Sequence, residues 1–225
     1  MLPERRHEIS RLEAFSDAAF AFALTLLVIS LDVPRSYADL IRTMRGLPSF
    51  ACCFALLVWI WHEHNLFFRR YGMHDGKTVF LNSVLLFVAL FYVYPLKFMF
   101  DSMFAQFSTV QGLERMTLPE LSRASAIYGT GFFVLFLMFA LLYRHAYNKR
   151  VELGLTQAEI FDVKAFAVHH VLSACVGLVC VAVALIAPLK FTPLAPTMFA
   201  LMGPTHWFYG MRTDRRRKSL VAAQR

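Results

Sequence analysis

Residues 165–187 read AFAVHHVLSACVGLVCVAVALIA, with no Asp, Glu, Lys or Arg among them. A helix needs about 20 mostly apolar residues to cross the hydrocarbon core of a bilayer. This stretch meets that length and reads as a membrane-spanning helix. Working outward from it, the same criterion finds five more spans, at about 14–33, 47–68, 78–104, 125–147 and 193–211. The expected architecture is all-α and integral to the membrane: one six-helix domain over 1–225, closed by a basic tail at about 212–225. Composition supports the same reading. Hydrophobic residues make up 58% and charged residues 17% of the 225, with 23 Phe, against roughly 45–50% and 25% in soluble domains. A soluble fold of this size has too much surface to hide that much apolar area.

The ends of the spans carry their own signals. Ser10 and Glu13 fit a capping box opening the first span, and Asp32-Val33-Pro34 closes it. Only Ala18 to Leu31 of that span lacks a charge, so it is short in purely apolar terms. Gly72 and Gly76 punctuate the second turn, Pro95 is placed to kink the long third span, and Pro193, Pro196 and Pro204 interrupt the sixth. A cleaved signal peptide is the alternative for the N-terminus. Glu4, Glu8, Glu13 and Asp17 are out of place in its basic region, and no A-x-A-like site follows Leu31. No internal repeat is evident.

The formal net charge of +8 does not point to nucleic acid, because the basic residues sit in short clusters between apolar runs. In a membrane chain that pattern sets orientation and meets anionic headgroups. Alternating spans put the N-terminus (Arg5, Arg6, Arg11), the second turn (Arg69, Arg70, Lys77), the fourth loop (Arg144, Lys149, Arg150, Lys164) and the tail (Arg212, Arg215, Arg216, Arg217, Lys218, Arg225) on one side. Sixteen of the 23 Lys and Arg lie there, so both termini are expected in the cytoplasm. Cys52, Cys53, Cys175 and Cys180 lie inside apolar runs without metal-site spacing and read as small core residues.

Polar groups inside a bilayer are costly and therefore candidates for function. The first span holds Phe15-Ser16-Asp17 and then small residues up to Thr25, a composition suited to close helix packing. Ser16 and Asp17 either serve the protein interior or merely favour the positive end of the helix from the headgroup region. In the second span, His62 and His64 point about 200° apart, which opposes a shared metal ion, whereas Trp61, His64 and Phe68 share a face. An aromatic belt at the interface is the alternative there. Asn82 in the third span can donate to a neighbouring helix. His169 and His170 lie near the cytoplasmic interface with no role assigned; one of them could face a haem. No phosphate loop, nucleophile elbow or carboxylate pair is present. The chain reads as no enzyme, with no cofactor and no metal site.

Arg11-x-x-x-Phe15-Ser16-Asp17 running into Ala23-Leu24-Thr25-Leu26-Leu27-Val28 resembles the first helix of the transmembrane protein 175 potassium channel family. Trp61-x-x-His64, Asn82 early in the third span and Pro95 toward its end fit the same family's weaker pattern. The resemblance covers the first three spans; the last three agree in number and spacing. It implies a cation channel without a Thr-Val-Gly-Tyr-Gly filter, in a homotetramer when, as here, one copy of the motif is present per chain. It also implies that the first helix lines the pore, narrowed by aliphatic rings near a hydroxyl, while Arg11, Phe15, Ser16, Asp17, Trp61, His64 and Asn82 brace that helix. A helical wheel agrees: with Phe22 at zero, Leu26, Ile29 and Thr25 fall at about +40°, −20° and −60°, and Asp17 about 140° away. Phe22 departs from the family's usual Ile or Leu, and its ring either narrows the pore or tilts against Thr25.

The expectation is thus a potassium-permeable channel in the plasma membrane of a prokaryote, with a pore constricted by Phe22, Leu26 and Ile29, flanked by Thr25 and carrying Asp32 at its outer mouth. Potassium is the permeant ion, the lipid bilayer is the solvent, and nucleic acid is not a partner. The rival readings are a proton-coupled transporter relaying through Asp17, His62, His64 or His169, and a haem-binding membrane subunit.

Overall fold

The computed structural model describes residues 9–31, 33–105 and 116–222. Among these residues every regular element is helical. The first, α1 (Arg11–Ile29), opens on the anticipated capping box: the Ser10 amide donates to Glu13 Oε2 at 2.7 Å and the Glu13 amide to Ser10 Oγ at 3.2 Å. A short helix, α2 (Tyr37–Arg45), follows, capped by Ser36. The sequence reading placed no element there, since α2 is too short and polar for a span.

The next helix, α3 (Leu47–Tyr71), stops where Gly72 takes a φ of 54°, a left-handed conformation that glycine adopts without a Cβ clash. Asp75 then starts α4 (Gly76–Ala105), accepting from the Lys77 and Thr78 amides at 3.0 and 3.1 Å. Pro95 lies inside α4 without ending it, and the Tyr128 hydroxyl donates to its carbonyl. The long pair α5 (Leu118–Asn148) and α6 (Gln157–Ile186) packs backbone to backbone. A Cβ on Gly129 would stand 2.8 Å from the Gly177 carbonyl, and one on Gly177 would stand 2.8 Å from the Gly129 carbonyl. No other residue fits at either position.

α3 to α6 are each longer than the apolar window that marked them, most of all at 125–147 and 165–187, whereas α1 ends at Ile29, short of the expected 33. Their capping turns are polar and extend past the hydrocarbon core, where a hydropathy criterion does not see them. Among the described residues five helices, α1 and α3 to α6, are long and apolar enough to cross a membrane. The segment expected as the sixth span, 193–211, is not one helix. Turns of 3-10 helix at Leu189–Phe191 and Met198–Leu201 flank the short α7 (Leu194–Thr197), and only then does α8 (Met202–Ala222) begin. Pro193 and Pro196 bring no amide hydrogen to this stretch, which breaks a continuous α-helical ladder. α8 then runs on through Arg212–Lys218, so the expected tail is helical as far as Ala222.

The core is a run of aromatic rings from α3, α5 and α6 around Phe67, Phe136, Phe139 and Tyr143, all fully buried. At one end of the bundle, polar contacts gather the turns that carry most of the basic residues. His145 Nε2 and Lys149 Nζ lie 3.0 and 3.5 Å from Asp75, while Arg217 Nε donates to both oxygens of Asp162 at 2.9 and 3.2 Å. Burial pushes the Asp75 carboxyl up. The Thr78 amide, His145 and the Thr78 hydroxyl outweigh it and hold Asp75 well below the usual carboxylate range. The α3–α4 turn, the α5–α6 turn and the end of α8 therefore share one basic face.

Candidate functional site

One face of α1 is held and the other is open. The held stripe is Ser16, Phe20, Ala23 and Leu27, all buried and spaced by four, three and four residues along the helix. It lies against α3 and α4. Ser16 Oγ donates to the Leu12 carbonyl at 2.8 Å and accepts from Asn82 Nδ2 at 2.9 Å, and Asn82 Oδ1 lies 2.7 Å from His64 Nε2. Ser16, Asn82 and His64 are all buried. With the Asn82 amide donating to Ser16, its oxygen must accept, so His64 carries its proton on Nε2. The His64 ring is clamped by Phe20 and Phe68, with centroids 5.4 and 4.6 Å away. At the flank of this face the Trp61 indole donates to Asp17 Oδ1 at 2.8 Å. The chain Ser16–Asn82–His64 thus ties three helices together in the interior, and Trp61–Asp17 is a second tie at the edge.

Two residues expected in the brace stand outside it. Phe15 is 65% exposed and, among the described residues, lies outside the core cluster, because it sits about 100° from Ser16 on the helix. Arg11 is exposed on the first turn, and among the described residues it makes no ion pair. Asp17 is bonded to a neutral indole, so among the described residues this site contains no buried ion pair. His62 is exposed while His64 is buried, as their two-residue spacing requires.

The open face carries Ala14, Ala18, Ala21, Phe22, Thr25, Val28 and Ile29. Phe22 is 57% and Ile29 69% exposed. Leu26 is half-buried and marks one margin of this face; Leu24 is half-buried on the core side, packed against it. Thr25 donates its hydrogen to the Ala21 carbonyl at 2.9 Å, which leaves its oxygen lone pairs facing outward as acceptors. Asp32, expected at the outer mouth, lies outside the described residues.

Further polar groups meet where no local pattern announced it. His169 and His206 lie ring to ring, with centroids 3.9 Å apart, and Ser173 Oγ is 2.9 Å from His206 Nε2. His170 is buried among Phe136, Phe139 and Tyr143 with Glu63 3.7 Å away. Among the described residues no group of three or more His, Cys, Asp and Glu could hold a metal. Asp75 with His145 and Asp162 with Arg217 are 70 and 55 residues apart in sequence; only the bundle brings them together.

Residues 11–92 match the family described as Endosomal/lysosomal potassium channel TMEM175. A relative from Marivirga tractuosa named "Potassium channel" is 36% identical, over 96% of this chain and 92% of its own length. A potassium channel of Chamaesiphon minutus is 29% identical over 62% of this chain and 66% of its own. The chain belongs to the TMEM175 family. The crystal structure of a variant of the potassium channel MtTMEM175, in complex with a nanobody–MBP fusion protein, superposes with a TM-score of 0.86 at 36% identity, covering 95% of this chain and 97% of that one. A TMEM175 homologue from Chamaesiphon minutus, described as a lysosomal potassium-selective channel homologue, shares the fold at a TM-score of 0.58 and 22% identity. The family match begins at Arg11 and ends at Tyr92, so it spans α1, α3 and the first half of α4. These are the helices that the Ser16–Asn82–His64 chain joins.

Proposed function

We propose that this chain is one subunit of a homotetrameric, potassium-permeable channel whose central pore is lined by four copies of α1. One observation carries the reading. α1 is long enough to span a bilayer, is hydrogen-bonded to its own subunit along one face, and leaves the opposite face, with Phe22, Thr25 and Ile29, uncovered. Ala14, Ala18 and Ala21 on that open face are small enough to let the helix of a neighbouring subunit approach closely. Phe22, Leu26 and Ile29 then form successive apolar rings, which disfavour water and constrict the pore by dewetting. A potassium ion passing them loses hydration, and the four Thr25 oxygens supply dipoles beside the narrowest part. The C-terminal ends of four α1 helices give that mouth a partial negative potential that concentrates cations. Conduction is passive and needs no cofactor.

The basic face sets the orientation. The excess of Lys and Arg supports a cytoplasmic location for it and for both termini, and the single copy of the motif supports a prokaryotic plasma membrane. Residues 188–211, broken though they are, make the sixth passage and bring α8 back to that side. Recording from the purified protein in planar bilayers under a potassium–sodium gradient tests the function. Unitary currents of fixed conductance, reversing toward the potassium equilibrium potential, are expected. Macroscopic transport with no unitary events and a dependence on the proton gradient would overturn the channel in favour of a proton-coupled transporter.

A further inference from the structure

Where α3, α6 and α8 meet on the basic face, a crevice of about 350 Å³ opens between them. Four charged side chains line it, and two neutralise each other: Arg217 holds both oxygens of Asp162. Neither of the other two makes an ion pair among the described residues. Arg70 stands over the Phe166 ring with its Cζ 4.4 Å from the centroid, and its Nη1 is buried without an acceptor among the described residues. Asp214 lines the same crevice from α8 and is exposed. The crevice is built rather than incidental. The Tyr209 hydroxyl donates to the Ala165 carbonyl at 3.1 Å, pinning α8 to α6 along its floor. Gly210 keeps the wall low, since a Cβ there would meet nothing within 4 Å. Trp207 and Phe208 are exposed on α8 just before it, and exposed aromatics of that kind sit at headgroup level in a membrane.

We propose that this crevice binds the headgroup of a phosphatidylethanolamine-type lipid, with its phosphate on the Arg70 guanidinium and its protonated amine on the Asp214 carboxylate. A planar guanidinium is a strong partner for phosphate oxygens. A carboxylate across the same crevice needs a cation that can donate hydrogen bonds. A headgroup with both charges satisfies both side chains at once. An anionic lipid without an amine leaves Asp214 unpaired beside its negative charge, and a choline lipid offers no N–H to donate. The inference rests on the chain's being an integral membrane protein and is independent of whether it conducts potassium.

The test uses the full chain, purified in detergent, stripped of lipid and followed by native mass spectrometry with phosphatidylethanolamine, phosphatidylcholine and phosphatidylglycerol of identical acyl chains. Wild type is expected to retain the ethanolamine lipid about fivefold better than either other, equivalent to about 1 kcal/mol. Asp214→Asn should abolish the preference over choline, and Arg70→Gln should weaken retention of all three lipids. Gly210→Trp projects into the open crevice and should block retention while elution volume and melting temperature stay at wild-type values. Equal retention of ethanolamine and choline lipids by wild type, or an unchanged preference in Asp214→Asn, overturns the assignment. So does equimolar displacement of the lipid by inorganic phosphate or by free phosphoethanolamine, which would make the crevice a site for a soluble phosphate compound.

Discussion

Asn82 joins three helices through one side chain. Its amide reaches Ser16 on α1 and His64 on α3 from a fully buried position on α4, so removing it leaves the His64 Nε2–H without an acceptor. Interhelical hydrogen bonds in membranes average about 0.6 kcal/mol, while an orphaned buried donor costs about 1–3 kcal/mol. Asn82→Ala should therefore destabilise the solubilised protein by about 1–2 kcal/mol, read as a lower melting temperature. An unaltered melting curve would mean the chain does not brace α1. Ser16→Ala should cost less, because Asn82 keeps its bond to His64. Outside the membrane, Asp75 is the comparable residue. Its carboxyl is held below its ordinary value by the Thr78 amide, His145 and the Thr78 hydroxyl, against an upward push from burial. A carboxyl whose folded-state value is depressed stabilises the fold above its unfolded value, near 3.9, and loses that contribution as pH falls toward the folded one. Asp75→Asn should lower stability at neutral pH by about 1 kcal/mol, the usual worth of a helix cap. It should also flatten the acid limb of the stability profile below pH 4. An acid limb identical to wild type would show that other carboxylates set it.

At the scale of the element, α1 departs from an ordinary amphipathic helix because both of its faces are apolar. The tie to α3 and α4 consists of a few side chains at the level of Leu12 to Leu27, so the helix is oriented by specific bonds as much as by burial. That arrangement predicts a face-dependent response to polarity. Asn at 22, 26 or 29 should keep water in a ring and raise open-state current or leak, whereas Leu24→Asn, on the half-buried core side, should chiefly lower stability. Ile29, the more exposed of the outer positions, is expected to respond more strongly than Leu26, which stands at the margin of the face. Wild-type conductance from all three pore-face variants, with a leak from Leu24→Asn, would require α1 to be rotated in the assembly. α5 and α6 answer a different demand. Their contact at Gly129 and Gly177 leaves no room for a Cβ, so they behave as one rigid unit beside the helices of the site.

Over the whole molecule, polar contacts concentrate at the basic end, and Arg217 with Asp162 is the clasp that ties the end of α8 to the start of α6. Asp162 is almost fully buried, and leaving a buried charge without its partner costs about 3–5 kcal/mol. Half-exposure of Arg217 reduces this, so Arg217→Gln is expected to cost about 1–2 kcal/mol. It should also speed amide exchange in α8 while leaving α1 protected. Equal loss of protection in both helices would mean that the bundle unfolds as one unit.

The apolar runs by themselves determined that the chain is an all-helical membrane protein, because lipid admits long apolar segments only as helices that satisfy their own backbone. The resemblance carried by Arg11–Asp17, Trp61, His64 and Asn82 pointed to α1, α3 and α4 as the helices of the site, while spacing along the helix fixed only that Trp61, His64 and Phe68 share a face. Which of those residues meet was a tertiary matter. Asp17 bonds Trp61 and not Arg11, and Phe15 faces away, because partners on different helices are chosen by how the helices rotate and pack. The broken passage before α8 was announced by Pro193 and Pro196, but the clasp at Asp162 and the paired rings of His169 and His206 were equally invisible. Both depend on contacts between positions 33 to 55 residues apart, and local periodicity carries no record of such distances.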